Sequence, residues 1–189
     1  MKELIALYDA NVLYPAPLRD LLVYMALADL YQAKWTETIH DEWIRNVLKN
    51  RPDLTRAQLE RTKGLMDKNV LDSLVYGYEH LIPSLKLPDP NDRHVLAAAI
   101  HSKASIIVTY NLKDFPGKVL DKYDIEAQHP DNFLVHIIDT SPETACAAIK
   151  KLRTNLKKPP ASKEEYFLVL KQQRLAKTVK KLSYFHYLL

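Results

Sequence analysis

The sequence predicts an α/β fold, a mainly parallel sheet flanked by helices and followed by a helical C-terminal part. The continuous apolar run Leu4–Tyr8 lacks the polar alternation of a half-solvated strand and so suits a strand buried on both faces, and Ser105–Thr109 is a β-rich run long enough for a central strand. Between and after them apolar residues recur at helical spacing, and such alternation of strand and helix is the pattern of crossover-linked parallel strands. Beyond Pro130 only helical periodicity remains. The expected division is a first domain over residues 1–130 and a basic helical extension over residues 131–189.

The first run ends in Asp9-Ala10-Asn11. In open parallel sheets ligands bind beyond the carboxyl ends of the strands, which places Asp9 where sites are built. An ordinary alternative is that Asp9 caps the next turn while Asn11 bonds local backbone. Pro15 and Pro17 open an expected helix from about Leu18 to Ala33, whose stripe of Leu18, Leu21, Leu22, Met25 and Ala28 is interrupted by Asp29. A short strand over Lys34–Thr36 precedes a helix over Thr38–Asn50 that buries Ile39, Trp43, Ile44, Val47 and Leu48. Glu42 lies beside that stripe, with Arg45 and Asn46 as its other helix neighbours, so spacing alone favours a solvated surface role over a site role. Thr55 is the expected N-cap of a helix to about Lys68, with Gln58 as its capping-box partner. Another short strand is expected near Leu85–Leu87.

Residues 88–116 hold the chain's densest run of chemistry. Asp92 has Val95, Leu96, Ala99 and Ile100 at helical spacing after it, so it tops the apolar stripe of its own helix, Arg93–Lys103. An unpaired carboxylate on a core-facing stripe needs donors or a cation. The local alternative makes Asp89 an N-cap, Pro90 the first helical residue and Asp92 the returning acid of a capping box. The strand Ser105–Thr109 then opens into a loop bearing Asn111 and Asp114. A further strand is expected near Tyr123–Ala127. Helices follow over Asp131–Ile138 and Pro142–Asn155, the latter capped by Ser141. After a Lys157-Lys158-Pro159-Pro160 break, one or two more helices run from Ser162 to Leu189.

Composition narrows the classes. The 189 residues suit one domain with an appendage, and a 47% hydrophobic content supports a substantial core. No run approaches the roughly 20 apolar residues of a membrane span, and Leu4–Tyr8 is too short for a signal peptide, so no membrane association and a cytoplasmic location are expected. Cys146 is the only cysteine, which excludes a disulfide framework and a cysteine-based zinc site. The net charge of +4 is uneven: residues 141–189 hold 11 Lys/Arg against 3 Asp/Glu, and residues 1–140 hold 16 against 20. An acidic body with a basic end suggests an anionic partner, nucleic acid first, although a solvated lysine-rich helical surface has the same composition.

Asp9, Glu42, Asp92 and Asp114 each fall at or near a strand end or a helix start, with Asp89 and Asn111 close by. If the strands are adjacent, these side chains converge, and several carboxylates at short separation need a cation to stay ionised. Oxygen ligands without Cys or an obvious His pair suit Mg²⁺ or Mn²⁺. Such an ion can activate water and neutralise charge on a phosphodiester.

The ordered motifs Leu7-Tyr8-Asp9-Ala10-Asn11, Glu42, Asp89-Pro90-Asn91-Asp92-Arg93-His94-Val95-Leu96-Ala97-Ala98-Ala99 and Val108-Thr109-Tyr110-Asn111-Leu112-Lys113-Asp114-Phe115 resemble the PIN domain, most of all VapC-type toxin ribonucleases. The resemblance spans about residues 1–130. It implies a PIN-like sheet and a metal-dependent endoribonuclease paired with an antitoxin, expected as a homodimer. On that analogy Asp9, Glu42 and Asp92 are metal-binding acids, and Asn11 orients Asp9 or a metal-bound water. The family's fourth acid often stands where this chain has Asn111, with Asp114 three residues later as its replacement and Asp89 as an additional acid. The extension after Pro130 resembles one carried by some members. Its Lys177, Lys180 and Lys181, with Tyr184, Phe185 and Tyr187, are candidates for RNA contact, or equally the solvated face of a packed helix. An inactive PIN-like module that binds metal, RNA or a partner is the alternative, motivated by Asn111. A haloacid-dehalogenase-like phosphatase fits less well, because the second Asp expected two residues after Asp9 is Asn11. A response-regulator receiver places its acceptor Asp after a later strand.

Overall fold

The structure, a computed structural model, describes residues 4–156 and 161–189, so the expected break at Lys157–Pro160 and residues 1–3 lie outside it. Strand β1 (Ile5–Tyr8) runs into a short helix α1 (Ala10–Leu13), and helix α2 (Ala16–Ala26) follows. Strand β2 (Gln32–Lys34) leads to helices α3 (Glu37–Asn50), α4 (Arg56–Asn69) and α5 (Arg93–His101). Strand β3 (Ile106–Val108), helix α6 (Gly117–Leu120) and strand β4 (Glu126–Gln128) complete the sheet region. Among the described residues four α-helices follow, α7 (Pro130–Thr140), α8 (Pro142–Asn155), α9 (Lys163–Gln172) and α10 (Ala176–Ser183), and a 3₁₀ turn over His186–Leu188 comes last.

The four strands form one parallel sheet in the order β2-β1-β3-β4. Ala6 pairs with Ala33 on one side of β1, and Leu7 with Ile107 on the other. Leu7, Ile107 and Val108 are fully buried, so the two central strands are apolar on both faces, as the lack of alternation in the first implies. Burying each such side chain contributes roughly 1.5–3 kcal/mol. Because the chain moves to one side of β1 to make β2 and to the other to make β3, the order reverses between β1 and β3. The carboxyl ends of those two strands therefore flank a switch point, the usual ligand crevice of an open parallel sheet.

The chain divides into two compact units. One takes the residues through Tyr14 together with Tyr31–His129; the other takes Pro15–Leu30 and Pro130–Leu189. In the second, α7 packs on α8 and α10, while α2 packs on α8 and α9. Asp131 joins α7 to the start of α10: its Oδ1 accepts from the Thr178 N–H and hydroxyl, both at 2.7 Å, and its Oδ2 accepts from the Lys177 N–H at 2.9 Å. These bonds satisfy donors that the first turn of a helix leaves open.

Local signals behave unevenly. The Thr55–Gln58 capping box forms as expected, and Ser162 and Glu165 form a second one. The helix expected to reach Ala33 stops at Ala26. Asp29 takes a left-handed φ of 56°, and Asp29 N–H and Leu30 N–H bond back to Ala26 and Met25, a Schellman ending that frees the chain to enter β2 early. No strand forms at Leu85–Leu87. A 3₁₀ helix spans Glu79–Ser84, and Pro83 and Pro88 flank the buried Leu85 without N–H groups to offer a ladder. The last strand starts at Glu126 because a 3₁₀ turn over Asp121–Tyr123 and a left-handed Asp124 come first.

Candidate functional site

The sheet itself aims the first acid. Asp9 N–H donates to the Val108 carbonyl at 3.1 Å, continuing the β1–β3 ladder one residue past β1, and Thr109 N–H donates to the Gln128 carbonyl at 3.0 Å. Both backbones are thus pinned at the switch point. Asp9 is 6% exposed and Thr109 fully buried. The Thr109 hydroxyl donates to Asp9 Oδ2 at 2.7 Å and accepts from Asn11 Nδ2 and from the Asn111 N–H, each at 3.0 Å. Asn11 Nδ2 also donates to Asp9 Oδ2 at 2.6 Å, while its Oδ1 accepts from the Tyr110 N–H at 3.1 Å. Both side-chain donors go to Oδ2. Burial pushes the Asp9 carboxyl above the usual range, the Thr109 bond opposes that shift, the Glu42 charge adds to it, and the Ala10 and Asn11 backbone N–H groups also lower the carboxyl.

The second acid sits at the start of α5. The local capping box is half realised: Asp89 Oδ1 accepts from the Asn91 N–H at 2.8 Å, but the Asp92 side chain makes no capping bond. Asp92 instead faces the acid cluster. Burial raises its carboxyl from 3.8 to about 6, and the charges of Asp9, Asp89 and Asp114 push the same way while His94 opposes them. Glu42, from α3, has a quarter-exposed side chain and is not free in solvent. His94 Nε2 lies 3.1 Å from Glu42 Oε1 and so ties α3 to α5. Asp114 closes a 3₁₀ turn over Leu112–Asp114. Asn111 is exposed, and it is its backbone N–H that reaches Thr109.

The charge of Glu42 is felt at Asp9, and those of Asp9, Asp89 and Asp114 are felt at Asp92, which links these acids around the switch point. Among the described residues no Lys or Arg pairs with any of them. Also among the described residues, no three His, Cys, Asp or Glu side chains stand close enough to share one ion as placed. The donor set is all oxygen and partly desolvated, and among the described residues its one basic neighbour is His94. By donor chemistry it fits a hard divalent cation.

Thr109 and His94 belong to the cluster although sequence reasoning gave them no role. Thr109 was signalled only by its place at a strand end, and His94 only by standing two residues after Asp92. In the second unit, Lys177 Nζ donates to Asn132 Oδ1 at 2.7 Å and Lys181 pairs with Asp139 at 2.5 Å. Lys180 is exposed, and no ion pair engages it among the described residues. Likewise among the described residues, no helix is long and apolar enough to cross a membrane.

A model described as PIN domain matches residues 6–113, and one described as VapC50 C-terminal domain matches residues 130–183. A Mycobacterium tuberculosis (strain ATCC 25618 / H37Rv) protein bearing the name "Putative ribonuclease VapC50" is 44% identical over 77 residues. That stretch is 41% of this chain and 45% of the relative, so the chain spans less than half the length of the protein it matches. No solved structure matches. The PIN-domain match covers more than half of the sequence and runs from the first strand to the acidic loop after β3: the chain belongs to the PIN-domain family.

Proposed function

We propose that this chain is a divalent-metal-dependent endoribonuclease of the VapC type, the toxin of a toxin–antitoxin pair, which hydrolyses RNA phosphodiester bonds. One observation carries the reading. A buried carboxylate, Asp9, is fixed through one oxygen by Thr109 and Asn11 and faces further acids that no Lys or Arg among the described residues pairs with, at the β1–β3 switch point. The name of the 44%-identical relative and the match of residues 130–183 to the VapC50 C-terminal domain support it.

Asp9, Glu42, Asp92 and Asp114 are assigned to hold Mg²⁺ or Mn²⁺. Asp114 is preferred to Asn111 as the fourth member because its charge is felt at Asp92, and Asp89 is a supporting acid. When bound, the ion supplies the charge that activates water and offsets the negative charge developing on the phosphate. The chain's own residues do the rest. Thr109 and Asn11 hold Asp9 in one rotamer, and the N-terminal turn of α5 presents Asp92. Desolvation around both keeps water from screening the site. The basic residues of the 131–189 extension, Lys180 foremost with Lys177 and Lys181, supply attraction for RNA that the acids alone would repel. A cognate antitoxin, a homodimeric state and a cytoplasmic location complete the proposal.

A second reading has a specific observation behind it. The exposed Asn111 stands where an acid would follow the Thr109-Tyr110 pair, which would suit a catalytically weak or inactive module that keeps metal, RNA or partner binding. Incubating purified protein with a mixed RNA pool and Mg²⁺ or Mn²⁺, with and without EDTA, separates the two. Metal-dependent cleavage abolished by EDTA is expected. Metal binding without cleavage would favour the inactive module.

A further inference from the structure

We propose that His94 is a positioning residue whose imidazole Nε2–H holds the Glu42 carboxylate in the orientation that a divalent ion at the acid cluster requires. The inference rests on the proposed metal site. His94 lies on the first turn of α5, two residues after Asp92, and Glu42 lies 52 residues earlier, on α3. Their contact of 3.1 Å is the one side-chain bond to Glu42 among the described residues.

The bond does for Glu42 what Thr109 and Asn11 do for Asp9. A glutamate carries three side-chain torsions, and the residues one turn further along α3, Arg45 and Asn46, are exposed and do not bond it. His94 is thus the side chain that fixes the Glu42 carboxylate. With Oε1 accepting from Nε2, Oε2 is left for the cation. Carboxylates that ligate metals are commonly oriented by such a donor behind them.

The other face of the imidazole argues against a packing role. His94 is 12% exposed, and its Nδ1 is buried without a hydrogen-bond partner among the described residues. An apolar ring of the same shape would carry no such penalty, so filling space does not explain a histidine here. What the imidazole adds is Nε2–H on Glu42.

The test uses the full chain and reads Mn²⁺ affinity by calorimetry or electron paramagnetic resonance. His94→Phe keeps the ring and removes the donor; His94→Gln places an amide N–H near the same point. We expect His94→Phe to weaken Mn²⁺ binding about tenfold or more. His94→Gln should recover to within about threefold of wild type, and His94→Phe should add nothing in a Glu42→Gln background. Wild-type affinity in His94→Phe, equal loss in both variants, or an undiminished effect in the Glu42→Gln background overturns the proposal. A second readout needs neither metal nor a ring substitution. Long-range ¹H–¹⁵N spectra of the metal-free protein should show the proton on His94 Nε2 and a shift of that nitrogen in Glu42→Ala. A proton on Nδ1 alone, or no shift, also overturns it. Wild-type protein that binds Mn²⁺ but cuts no RNA defeats the nuclease reading and leaves the positioning role standing. Wild-type protein that binds no Mn²⁺ defeats both.

Discussion

Replacing Asp92 with Asn should stabilise the metal-free protein and disable the site. The carboxyl of Asp92 is raised from 3.8 to about 6, chiefly by burial and then by the charges of Asp9, Asp89 and Asp114. Its folded pKa lies above its unfolded one, so its favourable contribution is complete below about pH 3.8 and is lost as pH rises through about 6. At pH 7 the ionised group opposes folding. At about 1.36 kcal/mol per pH unit the interval corresponds to a ceiling of about 3 kcal/mol. Asp92 is only part-buried, and solvent screening reduces that to about 1–1.5 kcal/mol. Asn keeps the shape and removes the charge. Thermal unfolding in EDTA at pH 7 should therefore place Asp92→Asn about 2–5 °C above wild type. Excess Mn²⁺ should invert the order: at a hundred times its Kd a ligand adds about 2.7 kcal/mol to the form that binds it, and only wild type retains the full set of acids. A variant less stable than wild type in EDTA would make Asp92 a structural cap. A variant that keeps the full Mn²⁺ shift would remove Asp92 from the metal site.

Thr109→Val strands Asp9, Asn11 and the Asn111 N–H without a shared partner; we expect about 2 kcal/mol lower stability by urea unfolding, partly restored by Ser, and an unchanged midpoint would refute the network. Because a proton and the cation compete for Asp92, Mn²⁺ affinity should be level above about pH 6 and fall up to about tenfold per pH unit below it, measured by titration between pH 5 and 8; a flat profile contradicts this. Asp131→Ala removes three bonds to the start of α10 and should cost about 2–3 kcal/mol by chemical denaturation, with a loss under about 0.5 kcal/mol counting against the cap.

What could be read from the sequence is what short-range rules govern. Leu4–Tyr8 reads as a buried strand because its burial on both faces is written in its own composition, Ser105–Thr109 reads as a central strand from its β-rich run, and the Thr55–Gln58 box reads from its four-residue spacing. Placing Asp9 beyond a strand end required only the strand. The parts that did not read are held by tertiary partners. Glu42 looked like a surface residue from its own helix neighbours, because His94 lies 52 positions away. Thr109 bonds Asp9 across 100 positions. Lys181 looked free for RNA until α7 brought Asp139 to it. Helix α2 belongs with the C-terminal helices, and its apolar stripe does not say which neighbours it will meet. Asp89 and Asp92 show the two kinds of rule competing: the local cap claims Asp89, and the acid cluster claims Asp92.

The most direct measurement is an anomalous-difference map from crystals soaked in Mn²⁺. A peak at the carboxyl ends of β1 and β3, within coordination distance of Asp9 and Asp92, is expected, and it should vanish in Asp9→Asn. Crystals that take up Mn²⁺ elsewhere and show no density between Asp9 and Asp92 would contradict the assignment of this acid cluster as a metal centre.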